Sequence, residues 1–450
     1  MVKTQVRVQS PGHRKPGLIP LLVNLVAIRK GDTMHTNSEL CRKFGMLPLL
    51  VAMAVLAMLA IAVQTSAQQI LPIDVSRGTG TMPAAGTGAW QGTEPWYINL
   101  EGVVSGYYLD GNSVFHGFLR APDGRITTFD APNAGTIPGS GTGALGINRW
   151  GAITGNFTDN NYNTHGFVRA PDGTFTTFDA PNAYQPYCTC PEAINDRGEV
   201  VGFYYDQSAM LHGFLRTPDG AITPIDVTKG TGTMPPAGTG PGQGTIINYA
   251  NSINNAGEIV GYYHDANNYG HAWLRTPDGT ITTFDAPLSA PNLYFDQGSQ
   301  TQGSGSQSVN SEGDIIGWTI DKYGVWHGFL RTPEGKMSTF DAPGASTAPG
   351  GGTEWGWGTV AQNINDRGEI VGQFTEPNGV FHAFLRDRDG HFTTFEAPGA
   401  GSSNNSALTG EPPQGTFTYN NNLWGMITGY YIDANNVYHG YLRHQDSLRY

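Results

Sequence analysis

One unit of sequence occurs seven times between residues 99 and 450, and this repeat constrains the fold more than any other feature. Every copy opens with Asn-x-x-Gly-x-(Val/Ile)-x-Gly, and a histidine and then an arginine follow 17 and 21 residues after the Asn. Fixed spacing of this kind is typical of repeat proteins, in which each unit covers the apolar surface of its neighbours. The opening asparagines are Asn99, Asn148, Asn195, Asn254, Asn310, Asn365 and Asn422.

A carboxylate follows six of the seven histidines at a distance of fourteen residues. The histidines are His116, His165, His212, His271, His327, His382 and His439, and the carboxylates are Asp130, Asp179, Asp226, Asp285, Asp341 and Glu396. His439 lies too near the end of the sequence for such a partner. The segment "ILPIDV" at residues 70–75 matches "ITPIDV" at 222–227, so we expect Asp74 to be the partner of His439.

Each unit divides into four short strands, which residues 365–398 illustrate. A first strand ends at the Asn, "EIVGQF" and "FHAFLR" follow, and "HFTTFEA" is the fourth strand. Asn-x-x-Gly and Pro-Asp-Gly turns connect these strands as hairpins. The pattern predicts an all-β chain, and more specifically a seven-bladed β-propeller in which residues 70–75 complete the C-terminal blade. A β-sandwich is the main alternative, but it does not explain the fixed spacing.

The repeated histidines and carboxylates allow two interpretations. In a hairpin, each histidine lies across from its own carboxylate, and such a pair could act in acid–base catalysis. Seven equivalent pairs cannot all serve one substrate, however. We therefore predict that the pairs are structural hydrogen bonds, that the repeated arginines are structural as well, and that no catalytic residue belongs to the repeat.

The start of the third strand, after "INDRGEIVG", resembles the HAF repeat of bacterial proteins thought to be extracellular. His382-Ala383-Phe384 matches it, His271-Ala272-Trp273 is a variant, and Gly replaces Ala in the other five copies. The resemblance covers essentially all of residues 70–445. It implies a secreted bacterial repeat protein and transfers no catalytic residue.

The first 67 residues predict a secretory leader. An apolar run at 47–63 follows Arg42 and Lys43, and small residues end at Ala67, where we expect cleavage. A retained membrane anchor is the alternative, and Met34 or Met46 is the alternative start. We expect one domain over 68–450, a monomer that is secreted to the cell exterior or retained in the periplasm.

Charge argues against two classes of partner. Removing the eight Lys/Arg and two Asp/Glu of residues 1–67 from the 25 and 37 of the chain leaves a net charge near −18. Nucleic acid and anionic membranes are therefore unfavourable partners. Cys188 and Cys190 are too few for a disulfide framework, and we expect no metal site there.

The loops between successive units are the candidate ligand-binding region, because their lengths vary and a rigid scaffold presents them. Their aromatic rings, beside Asp- and Asn-rich loops, suit a polysaccharide, and an extracellular protein is the other candidate partner. The candidate ligand-binding residues are Trp90, Trp96, Tyr184, Tyr187, Tyr294, Trp355 and Trp357.

The function we predict is that of an extracellular binding or scaffold module without a cofactor. Calcium in the Asp/Asn loops is an alternative, although none has the EF-hand pattern. A polysaccharide hydrolase or lyase is the rival prediction. Its distinctive acidic candidates are Glu94, Glu354 and Glu411, which we place in the same loops.

Overall fold

The computed structural model describes residues 69–185, 189–247, 251–290, 303–347, 358–403 and 413–444. All regular elements in these ranges are β-strands, which confirms the prediction of an all-β chain. Within the same ranges there is no helix long and apolar enough to span a membrane. The predicted leader, residues 1–67, lies outside the described part of the chain.

The described strands, numbered in chain order from β1 (Ile70–Ile73), pair into antiparallel groups of four. Each group repeats the order that the sequence predicts. The groups are β2 (Gly92–Ile98), β3 (Val104–Leu109), β4 (Phe115–Arg120) and β5 (Ile126–Phe129); β6 (Gly141–Ile147), β7 (Ile153–Thr158), β8 (Thr164–Arg169) and β9 (Phe175–Phe178); β10 (Thr189–Ile194), β11 (Val200–Tyr205), β12 (Leu211–Arg216) and β13 (Ile222–Ile225); β14 (Gly244–Ile246), β15 (Ile259–His264), β16 (Gly270–Arg275) and β17 (Ile281–Phe284); β18 (Ser304–Val309), β19 (Ile315–Ile320), β20 (Trp326–Arg331) and β21 (Met337–Phe340); β22 (Thr359–Ile364), β23 (Ile370–Thr375), β24 (Phe381–Arg386) and β25 (Phe392–Phe395); β26 (Gly415–Asn421), β27 (Ile427–Ile432), β28 (Tyr438–Arg443) and β1.

The last group combines the two ends of the described chain. Strand β1 lies antiparallel to β28, with Ile70 opposite Arg443 and Ile73 opposite Gly440. Ile73 and Val75 are buried in one core cluster with Leu442. The segment at 70–75 therefore occupies the place that a fourth strand has in the other groups.

A hydrogen bond from each opening asparagine links its group to the next. The Nδ2 of Asn99 donates to the carbonyl oxygen of Asn148, and the series continues around to Asn422, which donates to Asn99. The seven distances are 2.9–3.3 Å. The side-chain oxygens accept backbone N–H groups of their own hairpin turns, as Asn148 does from Trp150 and Ala152. One side chain thus closes the turn and joins two groups.

Two further contacts join the groups. A Thr or Ser near the start of each first strand accepts a backbone N–H from the residue after the preceding carboxylate, at 2.9–3.2 Å; Ala131 to Thr142 is one example. Five of the repeated arginines lie 4.4–4.9 Å above a Phe ring of the preceding group, as Arg169 lies above Phe129. The prediction of a structural arginine thus gains a specific form, a cation–π contact between groups.

Glycine is required where a first strand meets the third strand of the preceding group. Gly141 forms a parallel bridge with Phe115 and has a φ of +119°. A Cβ at Gly141 would lie 2.1 Å from the carbonyl oxygen of Phe115. Only glycine allows this close approach and this backbone conformation, which fix the start of the first strand.

Candidate functional site

Three positions of each unit escape the repeat, and in most groups they line one cavity. They lie five and three residues before the opening Asn, on the first strand, and eight residues after it, on the second strand. Alternate residues of a strand share a face, so these positions point the same way in each group. The cavity has a volume of about 670 Å³ and is lined by strands of six groups. We call it the aromatic cavity, and its lining at these positions comprises Trp96, Tyr107, Gly143, Leu145, Asn156, Cys190, Glu192, Phe203, Val360, Gln362, Gln373, Phe417, Tyr419 and Tyr430.

Aromatic rings from neighbouring groups stack on one side of the aromatic cavity. Trp96 is parallel to Tyr419, with ring centres 4.2 Å apart and planes inclined by 12°. Phe417 stacks on Tyr430 at 4.9 Å, and Tyr107 lies 6.0 Å from Trp96. These contacts fix the rings in place, since each is carried by a strand and held by a neighbour.

Two carboxyl groups belong to this region. Tyr107 donates its hydroxyl to Oε2 of Glu94 at 3.2 Å, and burial raises the pKa of Glu94 to about 7. Glu192 lines the cavity from β10, and burial raises the pKa of its carboxyl to about 8. Burial, followed by the charge of Glu94, raises the pKa of Tyr107 well above its usual value. Perturbed carboxyl groups that converge on a cavity are typical of functional sites.

A second cavity of about 280 Å³ lies at the other end of the first strands, among the opening asparagines. A chain of side-chain hydrogen bonds runs across it, from Tyr97 to Asn251, Asn363 and Asn421. Its polar groups are therefore used within the protein, which makes this cavity a weaker candidate for ligand binding than the aromatic cavity.

The sequence-predicted ligand residues separate in the structure. Trp96 lines the aromatic cavity, whereas Trp90 and Tyr184 are exposed and lie outside its lining. The remaining candidates lie outside the described residues, as do Cys188 and the acidic candidates of the rival prediction except Glu94: Tyr187, Tyr294, Trp355, Trp357, Glu354 and Glu411.

Trp96 and Glu94 were predicted in a loop, and this placement is wrong. Both lie on β2, which begins at Gly92. A bulge between Pro95 and Tyr97 breaks the alternation of the strand, so the sequence lacks the regular pattern that indicates a strand. Sequence reasoning also missed Glu192 and the second-strand aromatic positions. Their signal was present, because they vary at a fixed distance from an invariant Asn.

Each repeated histidine lies between two carboxylates. Nδ1 is 2.8–3.2 Å from the fourth-strand Asp in six groups, and His382 contacts Glu396 in the other. In six groups Nε2 is also 3.5–3.8 Å from a carboxylate between the second and third strands, such as Asp206 for His212. Hydrogen bonding to Asp226 raises the pKa of His212. This second carboxylate was not recognised as a partner in the sequence.

The Asp/Asn loops use the same carboxylates to close their turns. Oδ1 of Asp110 accepts the backbone N–H groups of Asn112 and Val114 at 2.8 and 2.9 Å. Among the described residues, one group of side chains has the spacing for a metal ion, namely Asp387, Asp389 and His391. It lies on a turn, and Asp389 and His391 are exposed. Cys190, on β10, is disulfide-bonded.

Comparisons with known proteins identify no family for the chain. No protein-family model matches it, and no curated protein is similar to it. Three solved structures illustrate the distant similarities. The BP39L lectin from Burkholderia pseudomallei has a TM-score of 0.48 and 10% identity, over 78% of this chain and 94% of the lectin. The Aleuria aurantia lectin, in complex with Fucalpha1-6GlcNAc, has a TM-score of 0.36 and 12% identity, over 67% and 94%. TolB from Acinetobacter baumannii has a TM-score of 0.38 and 9% identity, over 67% and 62%. Similarities this distant carry no argument about the ligand of this chain.

Proposed function

We propose that the chain is a secreted repeat protein of the HAF type, a monomeric seven-bladed β-propeller that binds carbohydrate in its aromatic cavity. Two observations support the propeller. The hydrogen bonds of the opening asparagines return to their starting point, from Asn422 to Asn99. Strand β1 also takes the fourth place in the group formed by β26, β27 and β28.

The observation that carries the carbohydrate proposal is the loss of the repeat at the cavity wall. Packing alone would accept the same residues in every unit, as it does at the Asn, Thr and Arg positions. At the wall, Trp96, Tyr107 and Tyr419 supply flat rings, and Gln362 and Gln373 supply amide donors and acceptors. Sugar rings stack on aromatic faces, and their hydroxyl groups need donors and acceptors in fixed places.

The two carboxyl groups favour a second candidate, a glycoside hydrolase that acts in the same cavity. Such enzymes use one carboxyl group that is protonated near neutral pH and a second one across the scissile bond. Glu94 and Glu192 have raised pKa values of about 7 and about 8. Hydrolysis of a bound glycan that stops in Glu94→Gln and Glu192→Gln, with binding retained, would favour the enzyme over the binding module.

A glycan panel with purified residues 68–450 tests the carbohydrate proposal. We expect Trp96→Ala to weaken binding of a positive glycan by about tenfold or more, because base rates for buried aromatic contacts at binding sites exceed about 1.4 kcal/mol. Trp90→Ala is the matched control, since Trp90 is exposed and lies outside the cavity lining. Trp96→Phe separates loss of stacking from loss of folding.

The opposite pattern would contradict the proposed site. If Trp90→Ala abolishes binding and Trp96→Ala leaves it intact, the loops hold the ligand. Repeating the panel with a calcium chelator tests the prediction of a calcium ion in the Asp/Asn loops.

A further inference from the structure

The aromatic cavity contains acidic groups and no basic ones among the described residues. Neither Lys, Arg nor His is part of its lining, whereas Glu192 is, and Glu94 is bonded to the lining residue Tyr107. Within the described residues, the carboxyl group of Glu192 has no hydrogen-bond or ion-pair partner, and burial alone raises its pKa. A carboxylate in such a place is costly unless a positive charge accompanies it.

The titratable groups that face Glu94 are tyrosines. Tyr107 is on β3, Tyr419 and Tyr430 are on β26 and β27, and Tyr438 is on β28. Burial and then the charge of Glu94 raise the pKa of Tyr438, and for Tyr430 the charge of Glu94 adds to burial and to the effect of Tyr419. Glu94 is thus surrounded by ring systems and by no cation of the described chain.

Aromatic faces with a carboxylate beside them are the usual arrangement for binding an organic cation. The ring quadrupole attracts the charge, and the attraction is strongest when water is excluded. Trp96 and Tyr419 lie in the same wall, next to Glu94 in the chain and in the neighbouring group. The surface is therefore suited to an ammonium group more than to a neutral hydroxyl group.

We infer that the sugar held in the aromatic cavity is an amino sugar with a free, protonated amine. This inference rests on the proposed carbohydrate-binding function and specifies its ligand class. The amine would lie between the carboxyl groups of Glu94 or Glu192 and the rings, and the pyranose faces would stack on Trp96 and Tyr419.

The sign of the pH dependence distinguishes this inference from binding of a neutral sugar. A cation binds the ionised carboxylates, so affinity for a glucosamine oligosaccharide should rise between about pH 6 and about pH 8, while the amine keeps its proton. A neutral sugar that accepts a hydrogen bond from a protonated carboxyl group should bind more weakly over the same interval.

Calorimetric titrations of residues 68–450 with a glucosamine oligosaccharide, its N-acetylated form and spermidine make the test. We expect the free amine to bind at least about tenfold more tightly than the acetylated sugar near pH 8, which corresponds to about 1.4 kcal/mol. Glu94→Gln and Glu192→Gln should remove this preference. Glu101→Gln, at an exposed turn residue, is the matched control and should retain it.

Each other outcome overturns the inference in its own way. Equal affinity for the free and acetylated sugars, or a preference that survives both Glu→Gln changes, refutes the amine and leaves the carbohydrate site in place. Spermidine that binds as tightly as the amino sugar shows a general amine site instead. Failure of all sugars to bind overturns the inference together with the proposed function.

Discussion

At the scale of single residues, the cavity carboxyl groups reduce the stability of the folded chain. A buried carboxyl group that lacks a partner favours its neutral form, as the pKa of about 8 for Glu192 shows. The repeated histidines are the opposite case, because each lies beside carboxylates that satisfy it. A residue that costs stability and has no structural partner is more readily explained by ligand binding than by folding.

Glu192→Gln should therefore stabilise the protein at alkaline pH. The folded pKa of about 8 lies above the usual 4.5, so the fold favours the protonated form. This contribution is complete below about pH 4.5 and is lost as the pH rises through about 8. We expect the variant to gain about 1–2 kcal/mol in free energy of unfolding near pH 9 and almost nothing near pH 4, after allowing for the partial exposure of Glu192. Urea unfolding at both pH values measures this, and a gain that does not change with pH would contradict it.

At the scale of elements, the opening Asn gives each first hairpin both its turn and its link to the next group. The two functions use different atoms. Asn148 accepts backbone N–H groups of Trp150 and Ala152 through Oδ1 and donates to the carbonyl oxygen of Asn195 through Nδ2. Substitutions can therefore separate the turn from the link.

Asn148→Asp should cost less stability than Asn148→Ala. The carboxylate keeps the acceptor for the turn and loses the donor to Asn195, whereas alanine loses both. We expect losses of about 1–2 and about 2–4 kcal/mol in free energy of unfolding, since Asn148 is buried. Chemical denaturation at neutral pH compares the three proteins. Equal losses for the two variants would show that the turn contributes little and the link most of the effect.

Strand elements could be predicted from the sequence far better than the site. The hairpins follow from Gly and Pro at fixed places, and the histidine spacing places each ring across from its carboxylate. The first strands were harder, because the bulge at Pro95 and Tyr97 disturbs their alternation. The cavity wall was treated as variation: Trp318, eight residues after Asn310, was interpreted as tolerated, although the equivalent positions of other units line the aromatic cavity. A repeat reveals what the units share, and a single binding site depends on what they do not share.

At the scale of the whole molecule, contacts between distant parts of the sequence complete the last group. Asn422 donates to the carbonyl oxygen of Asn99, and His439 lies 3.2 Å from Asp74. Contacts of such long sequence separation form late and at a high entropic cost. The proposed closure therefore predicts that β1 contributes to global stability as much as a fourth strand inside the chain does.

Ile73 and Ile225 form a matched pair for this prediction, because "ILPIDV" and "ITPIDV" place them at the same position of equivalent strands. Ile73 is 1% exposed and Ile225 is 3% exposed, and each packs in a core cluster. β13 follows β12 directly in sequence, whereas β1 and β28 lie at opposite ends of the described chain. If β1 is fully packed, Ile73→Ala and Ile225→Ala should each lower the free energy of unfolding by about 2–4 kcal/mol in urea titrations. A loss of under about 1 kcal/mol for Ile73→Ala alone would mean that β1 detaches before global unfolding, and the proposed closure of the propeller would then be wrong.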